Sequence, residues 1–263
     1  MKRHFGLLTE YFVQYAKVRL AYRGDFALSV VTMTMASVFG AAIVYLIFGR
    51  APRLAGWSFY EILFLYGFSL LPLSLFNMVS INLYYFSDKY LIQGNFDRVL
   101  LRPVNSLFQI LFEQFRLEAL GDGILGLAVM TASARSLGTT FGAADILFLA
   151  FAAICGAAIY VSVFLGLTCV SFWMEDRIGV IPPVYNLLTF GRYPLDIYNG
   201  FIRMMLSWVV PFAFATFYPA ASVLRRDAYT LYAWLLPLVT LVFLGLSCWV
   251  WSRGVSNYSS TGS

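Results

Sequence analysis

Histidine is almost missing from this chain: His4 is the only one in 263 residues. A histidine-based catalytic triad or a His-ligated metal site inside the molecule is thereby excluded. No G-x-S-x-G occurs, and no G-x-x-x-x-G-K-[ST], so the chain carries neither that nucleophile elbow nor a phosphate-binding loop with which to hydrolyse ATP. Charge is scarce too. Asp, Glu, Lys and Arg make up 12% of the residues, against roughly a quarter in an ordinary soluble domain. The net charge of +5 is dispersed and forms no Lys/Arg block, which points away from nucleic acid and toward lipid headgroups. Acids are not spaced along any span as a proton relay requires, and no internal repeat is visible, which argues against common secondary-transporter folds. The three cysteines (Cys155, Cys169, Cys248) lie inside apolar runs, as small buried hydrophobes do.

What the chain has instead is apolar surface. Hydrophobic residues make up 60% of it and aromatics 18%, with a mean hydropathy of +0.76. A bilayer core about 30 Å thick takes about 20 apolar residues per helix, so the length accommodates roughly six spans. The expected fold is an all-α integral membrane protein, one transmembrane domain over 1–263. Residues 5–22 read as an amphipathic interfacial helix: Leu8, Tyr11, Phe12, Tyr15, Val18 and Tyr22 recur at three and four, with Glu10, Gln14 and Lys17 opposite. A removable signal peptide is not expected, since no compact apolar core followed by a small-residue cleavage site is seen.

Spans are expected at 26–48, 59–81, 106–134 and 145–173, then a fifth beginning in "VIPPVYNLLTFGRYPLDIYN", and a last at 232–251. The third is expected to start on a Ser106/Gln109 capping box. Residues 200–224 are broken at Pro211 and Pro219 and read better as a re-entrant element than as a crossing, although their length permits either. With the re-entrant reading, ten Lys and Arg residues fall on the side of the termini against seven on the other, which favours both termini in the cytoplasm.

The few ionisable residues within or beside spans are candidate pathway or interface positions: Glu113, Arg116, Asp122 and Arg203. The "GDG" at 121–123 also invites comparison with an intramembrane aspartyl enzyme, but Asp145 and Asp196, the other acids in question, fall near span ends. The aromatic excess reads first as interfacial belts (Trp57, Tyr60, Trp173, Tyr232, Trp251), and second as the lining of a route for an amphipathic substrate.

The stretch "GNFDRVLLRPVN" between the second and third spans, with the proline-broken "PFAFATFYPA" before the last, resembles the permease subunits of type-2 ATP-binding-cassette exporters. The nearest resemblance is to the bacterial branch with a G-x-F-D-x-x-L-x-R-P signature, here Gly94, Phe96, Asp97, Leu100, Arg102 and Pro103. The resemblance implies a non-catalytic permease in the bacterial plasma membrane. It pairs with a second copy or a related permease and with two separate cytoplasmic ATPase subunits, which hold ATP and Mg while this chain holds no cofactor. It assigns the coupling segment to 82–104 and a re-entrant outer element to 200–224, and leaves the substrate open.

The residues support coupling on their own terms. Phe96, Val99, Leu100 and Val104 offer apolar anchors for a partner's groove, and Asp97, Arg98 and Arg102 offer charges that fix register. Two bland readings stand beside this one: a charged inside loop that only sets orientation, and a membrane scaffold with no translocation path.

Overall fold

The computed structural model describes residues 2–50, 52–174, 181–224 and 227–259, and everything regular in them is helical. Five helices, or helices with their short 3₁₀ extensions, are long and apolar enough to cross a bilayer: 23–48, 59–79, 117–137, 143–172 and 227–257. In chain order the α-helices are α1 (Lys2–Ala21), α2 (Arg23–Phe48), α3 (Phe59–Val79), α4 (Ile81–Tyr84), α5 (Asn95–Leu100), α6 (Ser106–Phe112), α7 (Leu120–Leu137) and α8 (Ala143–Cys169). They continue with α9 (Ile181–Leu187), α10 (Gly200–Met204), α11 (Phe212–Ala215), α12 (Phe217–Val223) and α13 (Thr230–Asn257). The charged turn at 175–177 and the arginines at 225–226 lie outside the described residues.

Helix α3 is the hub. Ser58 caps it: the Ser58 hydroxyl accepts from the Glu61 N–H, and the Glu61 carboxylate accepts from the Ser58 N–H at 2.8 Å. Of its apolar stretch 72% is buried, against 11% for α2, so α2 lies at the periphery and shows Leu28, Val31, Phe39, Ile43 and Leu46 outward. Such a face suits lipid rather than water. Apolar helices gain nothing from leaving lipid for one another, so association rests on close backbone approach. Gly67 of α3 meets Gly126 of α7 back to back, and a methyl added at Gly126 would lie 2.6 Å from the Gly67 carbonyl oxygen. On its other side α3 packs against α8, which packs on α13.

The expected spans at 26–48, 59–81, 145–173 and 232–251 correspond to α2, α3, α8 and α13 within a few residues. The third differs. Residues 106–134 are not one helix: α6 ends at Phe112, and the long element resumes only at Leu117. The break falls where the Arg116 N–H leaves the helix and donates to the Met78 carbonyl at 2.9 Å. Nor is Ser106 the cap of α6. Asn105 is, its side chain accepting from the Phe108 N–H at 3.0 Å. Gln109 turns away from the cap and donates to the Val99 and Val104 carbonyls instead.

The fifth expected span is not a continuous helix. After α9 only 3₁₀ turns follow, at Phe190–Arg192 and Leu195–Ile197, because Gly191 and Pro194 interrupt the ladder. The stretch nonetheless tracks the length of α3. The Tyr185 hydroxyl donates to Asn77 at 3.0 Å, the Arg192 guanidinium lies 5.7 Å from the Tyr66 ring, and Asp196 accepts from the Trp57 indole at 2.9 Å. Residues 57 to 77 rise about 30 Å in helical geometry, and the long side chains of Tyr185, Arg192 and Trp57 help the shorter segment to reach along it. Side chains satisfy the freed carbonyls: Tyr198 donates to that of Phe190, and Thr216 to that of Gly191.

From the level of Asp196 and Arg203, the chain then runs inward. Phe212 packs on Tyr160 with ring centroids 5.2 Å apart, and Ala215 meets Gly156, midway along α8. A methyl at Gly156 would sit 2.5 Å from the Ala215 carbonyl oxygen. Two residues further on, Phe217 is back against Trp57 (5.7 Å) and Tyr229 (4.8 Å).

Candidate functional site

The stretch joining α3 to α6 is folded tightly. Beyond α4 comes a π-helical turn, Ser87–Ile92, then Gly94 at φ +69°, a left-handed conformation that glycine adopts without strain. Asn95 locks this turn by donating from its side-chain amide to the Lys89 carbonyl at 2.8 Å. Helix α5 follows, bends at Leu101–Val104, and passes into α6, with Gln109 bonded to both sides of the bend at 3.2 and 3.0 Å.

Beneath α5 lies an aromatic nest. Phe96, fully buried, has ring centroids within 4.9–6.1 Å of Phe86, Phe172, Trp251 and Tyr258. Those rings come from the turn after α4, the end of α8, and α13 with the residue that follows it, so three parts of the chain converge under one side chain. Asp97 is half-buried near Tyr258; burial first and this carboxylate second push the Tyr258 hydroxyl above its ordinary pKa. On the opposite face Arg98, Leu100, Leu101, Arg102 and Pro103 are exposed, Leu101 at 85%.

This geometry changes two expectations. Phe96 and Val99 belong to the protein's own core and are not available to a partner's groove, while Val104 is only half-buried. The outward apolar side chains are Leu100 and Leu101, and Leu101 is not among the residues that the sequence reading offered as anchors.

A family model described as ABC-2 family transporter protein matches residues 31–262. The chain belongs to that family. Comparison with curated proteins gives no match, and comparison with solved structures gives none. Membership makes this a multi-pass membrane component of an ABC transporter, of a kind that is generally non-catalytic and works with an ATPase subunit. Among the described residues no group of three or more His, Cys, Asp or Glu is placed to hold a metal ion.

In this ABC-2 subunit the polar positions singled out from sequence do not form one site. Glu113 accepts a short hydrogen bond from the buried Tyr90 hydroxyl and lies 3.5 Å from the Lys89 ammonium, which also donates to Asn82 at 3.3 Å. It thus ties the π-helical turn to the end of α6. Asp122 is buried in α7 and accepts from the Ser37 hydroxyl of α2 at 2.7 Å. Arg203 lies 3.8 Å from Asp196, whose carboxylate also accepts from Trp57 and from Tyr229 at 2.6–2.7 Å. Arg116 is exposed and lines a separate cavity.

A further cluster joins the N-terminal helix to the third span, a pairing that the sequence reading did not make. Glu118, 1% exposed just ahead of α7, pairs with Arg19 of α1 at 2.8 Å and accepts from the Tyr15 hydroxyl at 2.9 Å. Arg19 closes the triangle by donating to Tyr15 at 2.8 Å. Burial, opposed by Arg19, holds the Tyr15 phenol above its ordinary pKa. The stripe expected on the N-terminal helix is divided accordingly: Tyr15 faces the third span, whereas Val18 and Tyr22 face outward.

Proposed function

We propose that this chain is the permease subunit of an ATP-driven exporter in a bacterial plasma membrane. Two copies, or one copy and a related permease, enclose the path, and a pair of cytoplasmic ATPase subunits docks on 82–104. The observation that carries the reading is α5: a short helix fixed from below by four rings and presenting Leu100, Leu101, Arg98 and Arg102 outward. A transmission element needs that combination of stiffness behind and adhesion in front.

Topology follows. Both termini lie in the cytoplasm, and 181–199 is the fifth of six crossings, supported by its contacts along the whole length of α3. Residues 200–224 are re-entrant from the outer face, supported by their approach to Gly156 and return to Trp57. ATP closure pushes 82–104, and the strain reaches α6 through Tyr90 and Glu113 and passes between the third span and the N-terminal helix through Glu118 and Arg19. Irregular backbone at membrane depth is tolerated where protein covers it, and Phe212 to Ala221 is buried.

The test is copurification. Expressed with its ATPase, the tagged permease brings the ATPase through detergent extraction; the Asp97→Ala/Arg98→Ala variant inserts normally but loses ATP-dependent transport. A complex containing no ATPase would instead favour a scaffold.

A further inference from the structure

A cavity of about 250 Å³ opens where α3 ends, between α4, α8, α9 and the break before α7. Ligand pockets for whole drug-sized molecules run from roughly 300 Å³ upward, so this one is the size of a headgroup. Its walls divide by chemistry. Phe76, Phe164 and Leu83 form an apolar floor; Tyr84 and Tyr85, 40% and 51% exposed, stand at the mouth. Arg116 brings a positive charge to the lining residues, and none of them is acidic. The Arg116 guanidinium forms no ion pair among the described residues. Asn77, 7% exposed, has its side-chain carbonyl taken by Tyr185, which leaves the amide N–H groups without a partner there. Ser80, 6% exposed, adds a hydroxyl.

An amide whose acceptor is used and whose donors have no partner among the described residues, beside a guanidinium with no ion pair among them, is complementary to an anion with several acceptor oxygens. We propose that this cavity binds a phosphate group, with Arg116 and Asn77 as its principal donors. The aromatic walls make an amphiphile, whose chain runs out past Tyr84 and Tyr85, the source of that phosphate. The inference deepens the permease reading and rests on it, since it places an anionic amphiphile at the cytoplasmic end of the helices.

The full chain, purified alone in a maltoside detergent, is titrated with radiolabelled dodecyl phosphate. Saturable binding at one site per chain is expected, with dodecyltrimethylammonium failing to compete. Arg116→Gln and Asn77→Ala each weaken binding roughly tenfold, as loss of a charge-assisted or buried hydrogen bond does, while Arg116→Lys retains most of it and controls for folding. Inorganic phosphate competing as well as dodecyl phosphate would overturn the amphiphile assignment. Equal affinity in all three variants, or competition by the quaternary amine, would overturn the site altogether. Because no ATPase is present, failure here leaves ATPase pairing intact, and failure to copurify an ATPase leaves this binding intact.

Discussion

Arg19 and Glu118 lie 2.8 Å apart, one on the N-terminal helix and the other at the head of the third span, with the Glu118 side chain 2% exposed and Arg19 32%. A carboxylate so withdrawn is tolerable only while its partners stay. The asymmetry between breaking such a pair and removing it whole is therefore large.

Arg19→Ala should destabilise the protein by about 1–3 kcal/mol, because Glu118 is left buried with Tyr15 alone. Adding Glu118→Gln to Arg19→Ala should recover part of that loss, since the neutral amide still accepts from Tyr15. Thermal unfolding of the purified variants in detergent measures both. A double variant less stable than Arg19→Ala would show that the charge on Glu118 is held by something other than Arg19.

How much of this was legible beforehand depends on range. Helix α3 could be read directly, from an uninterrupted apolar run of the right length. The polar triangle at Glu118 could not: Tyr15 and Glu118 are 103 residues apart, and nothing local marks either as half of a pair. Gln109, Glu113 and Arg116 recur at helical spacing, which suggested one long helix. The helix breaks there because the Arg116 N–H leaves the ladder for the Met78 carbonyl, a partner that lies 38 positions back along the chain. The segment 181–199 was legible as apolar but not as irregular, since its missing backbone bonds are replaced by Tyr198 and Thr216 from elsewhere in the chain. At α5 the residues could be singled out from sequence but their directions could not, because spacing alone does not reveal that α8 and α13 end beneath Phe96.

Gly126→Ala tests the crossing of α3 and α7. The added methyl meets a carbonyl oxygen at 2.6 Å, and overpacking of this kind costs about 1–3 kcal/mol. Gly245→Ala in α13, where nothing lies within 4 Å, is the control and should be neutral or slightly stabilising through helix propensity. The comparison is made on melting temperature in one detergent, and equal effects at the two sites would remove the close approach as the reason for glycine at 126.

Alkaline pH should weaken the Tyr15–Glu118 and Tyr90–Glu113 links. The Tyr15 and Tyr90 phenols are held above the ordinary tyrosine value, burial being the largest cause in each, with the bond to Glu113 next for Tyr90. A group bound more tightly to its proton in the folded state contributes stability that is fully present below about pH 10 and is lost as pH rises further. Wild type should therefore lose stability above about pH 10 more steeply than the Tyr15→Phe/Tyr90→Phe variant, which has no phenol at either place. Parallel pH profiles would count against this.

The two faces of α5 should separate stability from partnership. Phe96→Ala empties the centre of the aromatic nest and should cost about 3–5 kcal/mol, with poor yield of folded protein. Leu101→Asp changes a side chain that is 85% exposed, so its effect on stability should stay within about 0.5 kcal/mol. If the outward face of α5 seats in an ATPase groove, Leu101→Asp places a carboxylate in that apolar contact, and copurified ATPase should fall at least tenfold while the permease itself elutes as wild type does. Arg102→Ala, which shortens the same face without burying charge, should weaken the complex less and in a salt-dependent way, because a rim charge acts mainly on encounter. Retention of the ATPase by Leu101→Asp at wild-type level would move the docking surface off α5, even with the nest beneath Phe96 intact.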